Sequence, residues 1–140
     1  MTDTRTPYGV IHSGGICKDN YPNIRLYDQP PVGGSPVKLQ AAAMRAFKAA
    51  EVRYGKRTGR KWRAIPLTGS WRSCAYQAEL YRKDRNRYAS PTGTMHTRGL
   101  AIDVSTSAPN QALIRAALKA EGWHQARSDE PWHYSFFLSG

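Results

Sequence analysis

The sequence predicts a mixed α+β protein in which about three helices accompany a small, mainly antiparallel sheet. Three segments have helical apolar spacing or helix-capping residues, and three short segments have strand character. No internal repeat and no domain linker interrupts them, so we expect a single compact domain over residues 1–140. A chain of 140 residues with 40% hydrophobic composition is long enough to bury a core without cross-links.

The first half of the chain predicts an irregular start followed by a helix. Residues 1–34 are rich in glycine and proline, so we expect irregular structure there with at most one short strand. Ser35-Pro36 has the pattern of an N-cap followed by proline in the first helical turn, and apolar residues then recur at helical spacing. Gly55 is the expected end of this helix, and the basic run 56–61 is expected to be an exposed loop.

The second half predicts three strands and two helices in alternation. Pro66 places the first strand at a sheet edge, Ser73 caps the second helix, and Pro109 opens the third. The expected ranges, in chain order, are a strand over 64–69, a helix over about 74–87, a strand over 100–104, a helix over 109–122 and a strand over 132–136.

The strong positive charge leaves three interpretations open. The formal net charge is +11 at pH 7, which favours anionic partners such as nucleic acid or an anionic cell envelope, or indicates only a basic surface. No stretch approaches the roughly 20 apolar residues of a membrane helix, and the first residues lack the pattern of a secretion signal. We therefore expect synthesis in the cytoplasm and no membrane span.

Cys17 and Cys74 are the only cysteines. Their spacing is not that of a metal site, and a cytoplasmic chain of this length needs no cross-link. We expect free, partly buried thiols, with a disulfide between them as the alternative.

Asp103 is the first candidate for chemistry because it interrupts an apolar strand. A buried carboxylate is costly unless it is paired or metal-bound, so it either has a partner such as Arg98 or ligates a metal. His96 lies before it across a glycine, and His133 follows in the last predicted strand. Two histidines and one aspartate are a ligand set for catalytic zinc, with one position left for water.

Three segments together resemble a known family. The string Thr94-x-His96-x-x-Gly99-x-Ala101-x-Asp103 resembles the first signature of the D-alanyl-D-alanine carboxypeptidase family of zinc peptidases, relatives of lysostaphin and of the Hedgehog signalling domain. Glu130-Pro131-Trp132-His133 is similar to the second signature, and Trp71-Arg72-Ser73 to the segment that precedes both. The resemblance runs from about residue 37 to 138 and implies the same fold.

The resemblance also implies a role for each matching residue. His96, Asp103 and His133 match the zinc ligands, and Glu130 matches the general base. Arg72 matches the arginine that binds a substrate carboxylate, although a salt bridge on the surface is the alternative role. Gln77 and Thr94 match positions that line the substrate site, and Thr94 departs from the usual serine.

These roles predict a zinc peptidase that cuts the stem peptide of bacterial peptidoglycan. A D-Ala-D-Ala carboxypeptidase step and an L-Ala-D-Glu-type endopeptidase step both remain open. A wall enzyme without an export signal would fit a phage endolysin. We expect a monomer, with anionic wall polymers as a further partner. The alternatives are a non-catalytic zinc-containing binding domain and a basic nucleic-acid-binding protein. Retention of Glu130 disfavours the first of these, and the scattered arginines and lysines disfavour the second.

Overall fold

The computed structural model describes residues 4–6, 9–12, 15–19, 23–26, 37–59, 65–125 and 129–138. The elements follow one another as strands β1 (Thr4–Thr6), β2 (Gly9–His12), β3 (Gly15–Lys18), β4 (Ile24–Leu26) and β5 (Lys38–Gln40), helix α1 (Ala41–Thr58), strand β6 (Leu67–Gly69), helix α2 (Cys74–Lys83), strand β7 (Ala101–Val104), helix α3 (Gln111–Ala120), and strands β8 (Trp123–His124) and β9 (His133–Phe136). No helix in these ranges is long and apolar enough to cross a membrane. The predicted α+β class, with three helices and antiparallel sheets, is confirmed.

The strands form three antiparallel sheets. One has the order β1-β2-β3, a second pairs β4 with β5, and the third has the order β6-β7-β9-β8. Strand β6 lies at an edge of this third sheet, as Pro66 predicts. Strand β7, an inner strand of this sheet, is buried along its whole length.

The N-terminal prediction is wrong. The described part of residues 1–34 contains four strands, where at most one was expected. Gly9 and Gly15 stand at the first positions of β2 and β3, so the turn-forming residues mark the ends of short hairpin strands and do not replace them.

Helix α1 is displaced toward the C-terminus relative to its prediction. It begins at Ala41 after strand β5 and ends at Thr58, beyond Gly55, where the left-handed conformation of Gly59 (φ 73°) terminates it. Ser35 and Pro36, the predicted cap, lie outside the described residues. The first part of the basic run therefore belongs to the helix, and its lysine and arginine lie in the last turn, where positive charge is favourable.

The remaining helices agree more closely with their predictions. Ser73 caps α2, since its side chain accepts a hydrogen bond from the Tyr76 backbone N–H, but the helix ends at Lys83 and residues 85–88 form turns.

The core lies between α1, α3 and the four-stranded sheet. Its largest fully buried side chains include Phe47, Ile102, Leu118 and Trp123.

The cysteines form a disulfide, contrary to the expected free thiols. Cys17 on β3 and Cys74 at the start of α2 have Cα atoms 5.8 Å apart and are linked, and both are buried. An Asp19 side-chain oxygen also accepts a hydrogen bond from the Cys74 backbone N–H at 2.7 Å. Sequence spacing gave no sign of this pairing because the two residues are 57 positions apart and meet only in the folded chain, where the N-terminal sheet packs against α2.

Candidate metal centre and cleft

Asp103 and His133 are brought together by strand pairing. They are directly opposite each other in the antiparallel register of β7 and β9. Residues that are opposite each other in such a ladder have neighbouring side chains. The strand register therefore brings together two residues that are 30 positions apart in the chain. His133 Nδ1 lies 3.0 Å from Asp103 Oδ1.

His96 reaches the same carboxylate from a short 3₁₀ turn, His96–Arg98, that precedes β7. Its Nε2 lies 3.3 Å from Asp103 Oδ1. Gly99 ends the turn with a φ of 71°, and the Gln40 backbone N–H donates to the Gly99 carbonyl oxygen at 2.9 Å. The Gln40 side chain also donates to the Arg98 carbonyl at 2.8 Å, so the end of β5 fixes the position of the turn.

The three side chains form a group that could bind a metal ion. Their ligand atoms all lie within 4.8 Å of one another. Tetrahedral zinc, with bonds of roughly 2.0–2.2 Å, needs ligand atoms a little over 3 Å apart, close to the two separations from Asp103 Oδ1. The donor set of two imidazole nitrogens and one carboxylate oxygen is the one that was expected from the sequence.

The partners around these ligands also fit a metal. The Nδ1 of His96 donates to the Ser70 carbonyl oxygen at 2.6 Å, so Nε2 is the ring nitrogen that would offer its lone pair to a bound metal. The Nε2 of His133 lies 3.2 Å from the Ser135 hydroxyl, which allows Nδ1 to be the ligand atom. Sequence reasoning missed Ser70 and Ser135, because a backbone carbonyl and a strand serine carry no motif signal.

Asp103 is held in its charged form. Burial by itself raises the pKa of this carboxyl, but hydrogen bonds from His133 and His96 and the positive charges of His96 and Arg72 outweigh it. The net effect is a pKa well below the usual range of an aspartic acid. A carboxylate that stays ionised is suited to bind a cation.

Arg72 is the partner of Asp103, in place of Arg98. Its Nη2 donates to Asp103 Oδ2 at 3.0 Å, on the carboxylate oxygen that does not face the histidines. Its Nη1 donates to Gln77 Oε1 at 3.1 Å, and Gln77 Nε2 donates to the Ala89 carbonyl at 2.8 Å. With 19% of its side chain exposed, Arg72 is part of the site and not of a surface salt bridge. Arg98 is exposed on the side of the turn.

All seven residues singled out in the sequence line one cleft of about 660 Å³. Thr94 lies on the approach to His96, and its hydroxyl accepts the His96 backbone N–H at 3.2 Å. Glu130 lies in the turn before β9, where its carbonyl accepts the His133 backbone N–H at 3.0 Å, and it lines the same cleft as the metal group. The cleft is also lined by residues to which the sequence analysis gave no role, and they include Arg85, Asn86, Arg87 and Tyr88.

Comparison with known proteins shows the fold. No protein-family model matches the chain, and no curated protein matches it by sequence. Among solved structures, the chain is similar to the LdcB LD-carboxypeptidase, a structure described as revealing the molecular basis of peptidoglycan recognition. The TM-score is 0.63 at 18% identity, over 84% of this chain and 70% of that one. The protein therefore has a D-Ala-D-Ala-peptidase-like fold, and this confirms the fold class expected from the sequence.

Proposed function

We propose that the protein is a zinc-dependent peptidase that hydrolyses a bond in the stem peptide of bacterial peptidoglycan. The observation that carries the proposal is the convergence of His96, Asp103 and His133 at the floor of an open cleft that Glu130 also lines. The fold that the chain shares with a peptidoglycan carboxypeptidase, and the two sequence signatures, support the same substrate class.

The metal would be held by His96 Nε2, one oxygen of Asp103 and His133 Nδ1. Bound there, zinc would lower the pKa of a water molecule and polarise a carbonyl group, as it does in catalytic sites with three protein ligands. Ser70 and Ser135 fix the two imidazole rings in the orientation this requires. Arg72 holds Asp103 through the other carboxylate oxygen, which keeps Oδ1 turned toward the histidines.

Glu130 is the proposed general base. A carboxylate in the wall of the cleft can take a proton from the attacking water and deliver it to the leaving amine. Arg72 is the proposed contact for a carboxylate of the substrate. Two of its nitrogens already donate to Asp103 and Gln77, but a guanidinium has five N–H donors in a planar fork, and Arg72 faces the cleft. Gln77 and Thr94 line the space beside it.

A Glu130→Gln variant tests the proposal. It should keep about one zinc per chain by elemental analysis, since Glu130 is not a ligand, and lose at least about 100-fold in the rate of peptide release from purified peptidoglycan. Mass spectrometry of the products identifies the bond and separates the carboxypeptidase step from the endopeptidase step. The matched control is Asp129→Asn, which removes the neighbouring exposed acid and should leave the rate unchanged.

Two results would contradict the proposal. One is hydrolysis by Glu130→Gln at the wild-type rate, and the other is the absence of bound metal in protein purified with zinc supplied. Peptide binding without any hydrolysis by the wild-type protein would favour the non-catalytic binding domain. We also propose a phage endolysin as the biological setting of this activity. Its separate test is whether the protein lyses host cells when it is added to them and when it is expressed inside them.

A further inference from the structure

One part of the cleft lining is basic. Arg85 and Arg87 both line the cleft, and both are exposed residues. In the described part of the chain, neither guanidinium contacts a carboxylate. Of the arginines that line the cleft, Arg72 has its acidic partner in Asp103, so only these two present unpaired positive charge to a ligand.

The two arginines lie in a turn that is stabilised by hydrogen bonds to Asp84. Asp84 Oδ1 accepts the backbone N–H groups of Asn86 at 3.0 Å and of Arg87 at 3.1 Å. The backbone N–H of Tyr88 also donates to the Asp84 carbonyl at 3.0 Å. These bonds are the pattern of an aspartate-nucleated turn, and they define the backbone from which both side chains project.

Each guanidinium also lies over an aromatic ring. Arg85 is 5.2 Å from the centroid of Tyr81, and Arg87 is 5.4 Å from that of Tyr88. When the face of a guanidinium is packed on a ring, its N–H edge can still bind a planar anion. Because stacking already restricts the side chain, it loses less rotamer freedom on binding than an unstacked arginine would. The turn therefore presents two preorganised forks, which suit carboxylate groups.

Because Arg72 and the metal group would take up the reacting end of a peptide, a second anion would have to lie farther along it. We propose that Arg85 and Arg87 form a second anion subsite, which binds a free carboxylate of an acidic peptide substrate at a position away from the bond that is cut. This inference rests on the proposed function, because that function identifies the peptide as a peptidoglycan stem peptide. It makes these arginines determinants of specificity, with no part in the chemical step.

The test uses two synthetic stem peptides that differ in one group. One has a free α-carboxylate on its glutamate residue, and the other has a carboxamide there. Binding is measured by calorimetry on the Glu130→Gln protein with zinc, with and without Arg85→Gln and Arg87→Gln together, and KM and kcat are measured in the Glu130 background.

We expect the double variant to bind the carboxylate peptide roughly fivefold to tenfold more weakly, as expected for two exposed charge-assisted contacts, and to bind the carboxamide peptide as before. KM should rise by the same factor with kcat unchanged, because the contact is remote from the reacting bond. The loss should shrink in 0.5 M salt. The control Arg45→Gln/Arg57→Gln removes the same charge from exposed positions of α1 outside the cleft and should change neither peptide.

Equal loss of affinity for both peptides, or no loss for either, overturns the subsite. A loss that the control variant reproduces overturns it as well, since that result indicates only a nonspecific attraction of the basic surface. If neither peptide binds the wild-type cleft, the subsite and the proposed function both fail. If the carboxylate preference is present and is lost in the double variant while the wild-type protein cleaves nothing, the subsite stands and the proposed function fails.

Discussion

Removal of the Cys17–Cys74 disulfide should destabilise the protein by about 4 kcal/mol. The bond closes a loop of 57 residues, and the loop-closure relation gives an entropy loss in the unfolded chain of about 14 cal/mol/K, or about 4 kcal/mol at 25 °C. This is a large share of the roughly 5–15 kcal/mol by which proteins of this size are stable. The bond joins the N-terminal sheet to α2, directly after the segment that carries Arg72.

The assay is urea denaturation of oxidised and reduced protein, followed by tryptophan fluorescence. The reduced protein should have a lower midpoint with a similar slope, and a Cys17→Ala/Cys74→Ala variant should match the reduced protein and not respond to reductant. A difference below about 1 kcal/mol between oxidised and reduced wild type would refute the reasoning, because it would mean that the contacts of the N-terminal sheet with α2 hold the loop without the bond.

Three further predictions concern the site. Gly99→Ala should destabilise by about 2 kcal/mol or more in thermal or urea unfolding, because its Cβ would strain a φ of 71° and approach Ile24 Cδ1 and, at 3.1 Å, Gln40 N. The control Gly59→Ala has a φ of 73° and nothing within 4 Å of the added Cβ, so it should cost only the conformational strain of about 1–2 kcal/mol, and equal losses in the two variants would contradict the packing argument. Ser135→Ala should weaken zinc affinity about 10-fold in a competition with a chelator, since His133 loses the partner of its Nε2, and unchanged affinity would show that the hydroxyl does not orient the ring. In the metal-free protein, Asp103 has a pKa below its unfolded value, so its contribution to the free energy of unfolding is fully present above about pH 4 and is lost as the pH falls through the folded pKa. The stability difference between wild type and Asp103→Asn should therefore narrow in acid, and a difference that grows below pH 4 would contradict the sign of the shift.

The sequence was enough to propose candidate site residues, which line one cleft, but not to predict their contacts. The prediction of His96, Asp103, His133 and Glu130 came from two signatures. Each signature can be recognised from its residue spacing because it lies within one local segment: a turn followed by β7, or a turn followed by β9. Their proposed roles stay predictions until tested. Local patterns also predicted the cap at Ser73 and the edge position of β6, since a cap and a proline act through their own neighbours.

Contacts between distant segments could not be read from the chain. Asp103 had two open interpretations, and only the packing of the segment before α2 against β7 shows that Arg72, and not Arg98, is its ion-pair partner. The short strands β1–β4 were missed because strands of three or four residues are stabilised by cross-strand pairing and carry little periodicity of their own.

The sequence by itself determined that the chain mixes helices with a small antiparallel sheet and indicated the candidate site residues, because residue type and local periodicity are properties of neighbours in the chain. Only the tertiary structure decided that Cys17 and Cys74 pair, that Ser70 and Ser135 contact the two histidine rings, and that Arg85 and Arg87 line the same cleft as the metal group. Each of these depends on the register of strands and the packing of a turn against a sheet. Such long-range contacts arise from the combined burial of the whole core, which no single segment encodes.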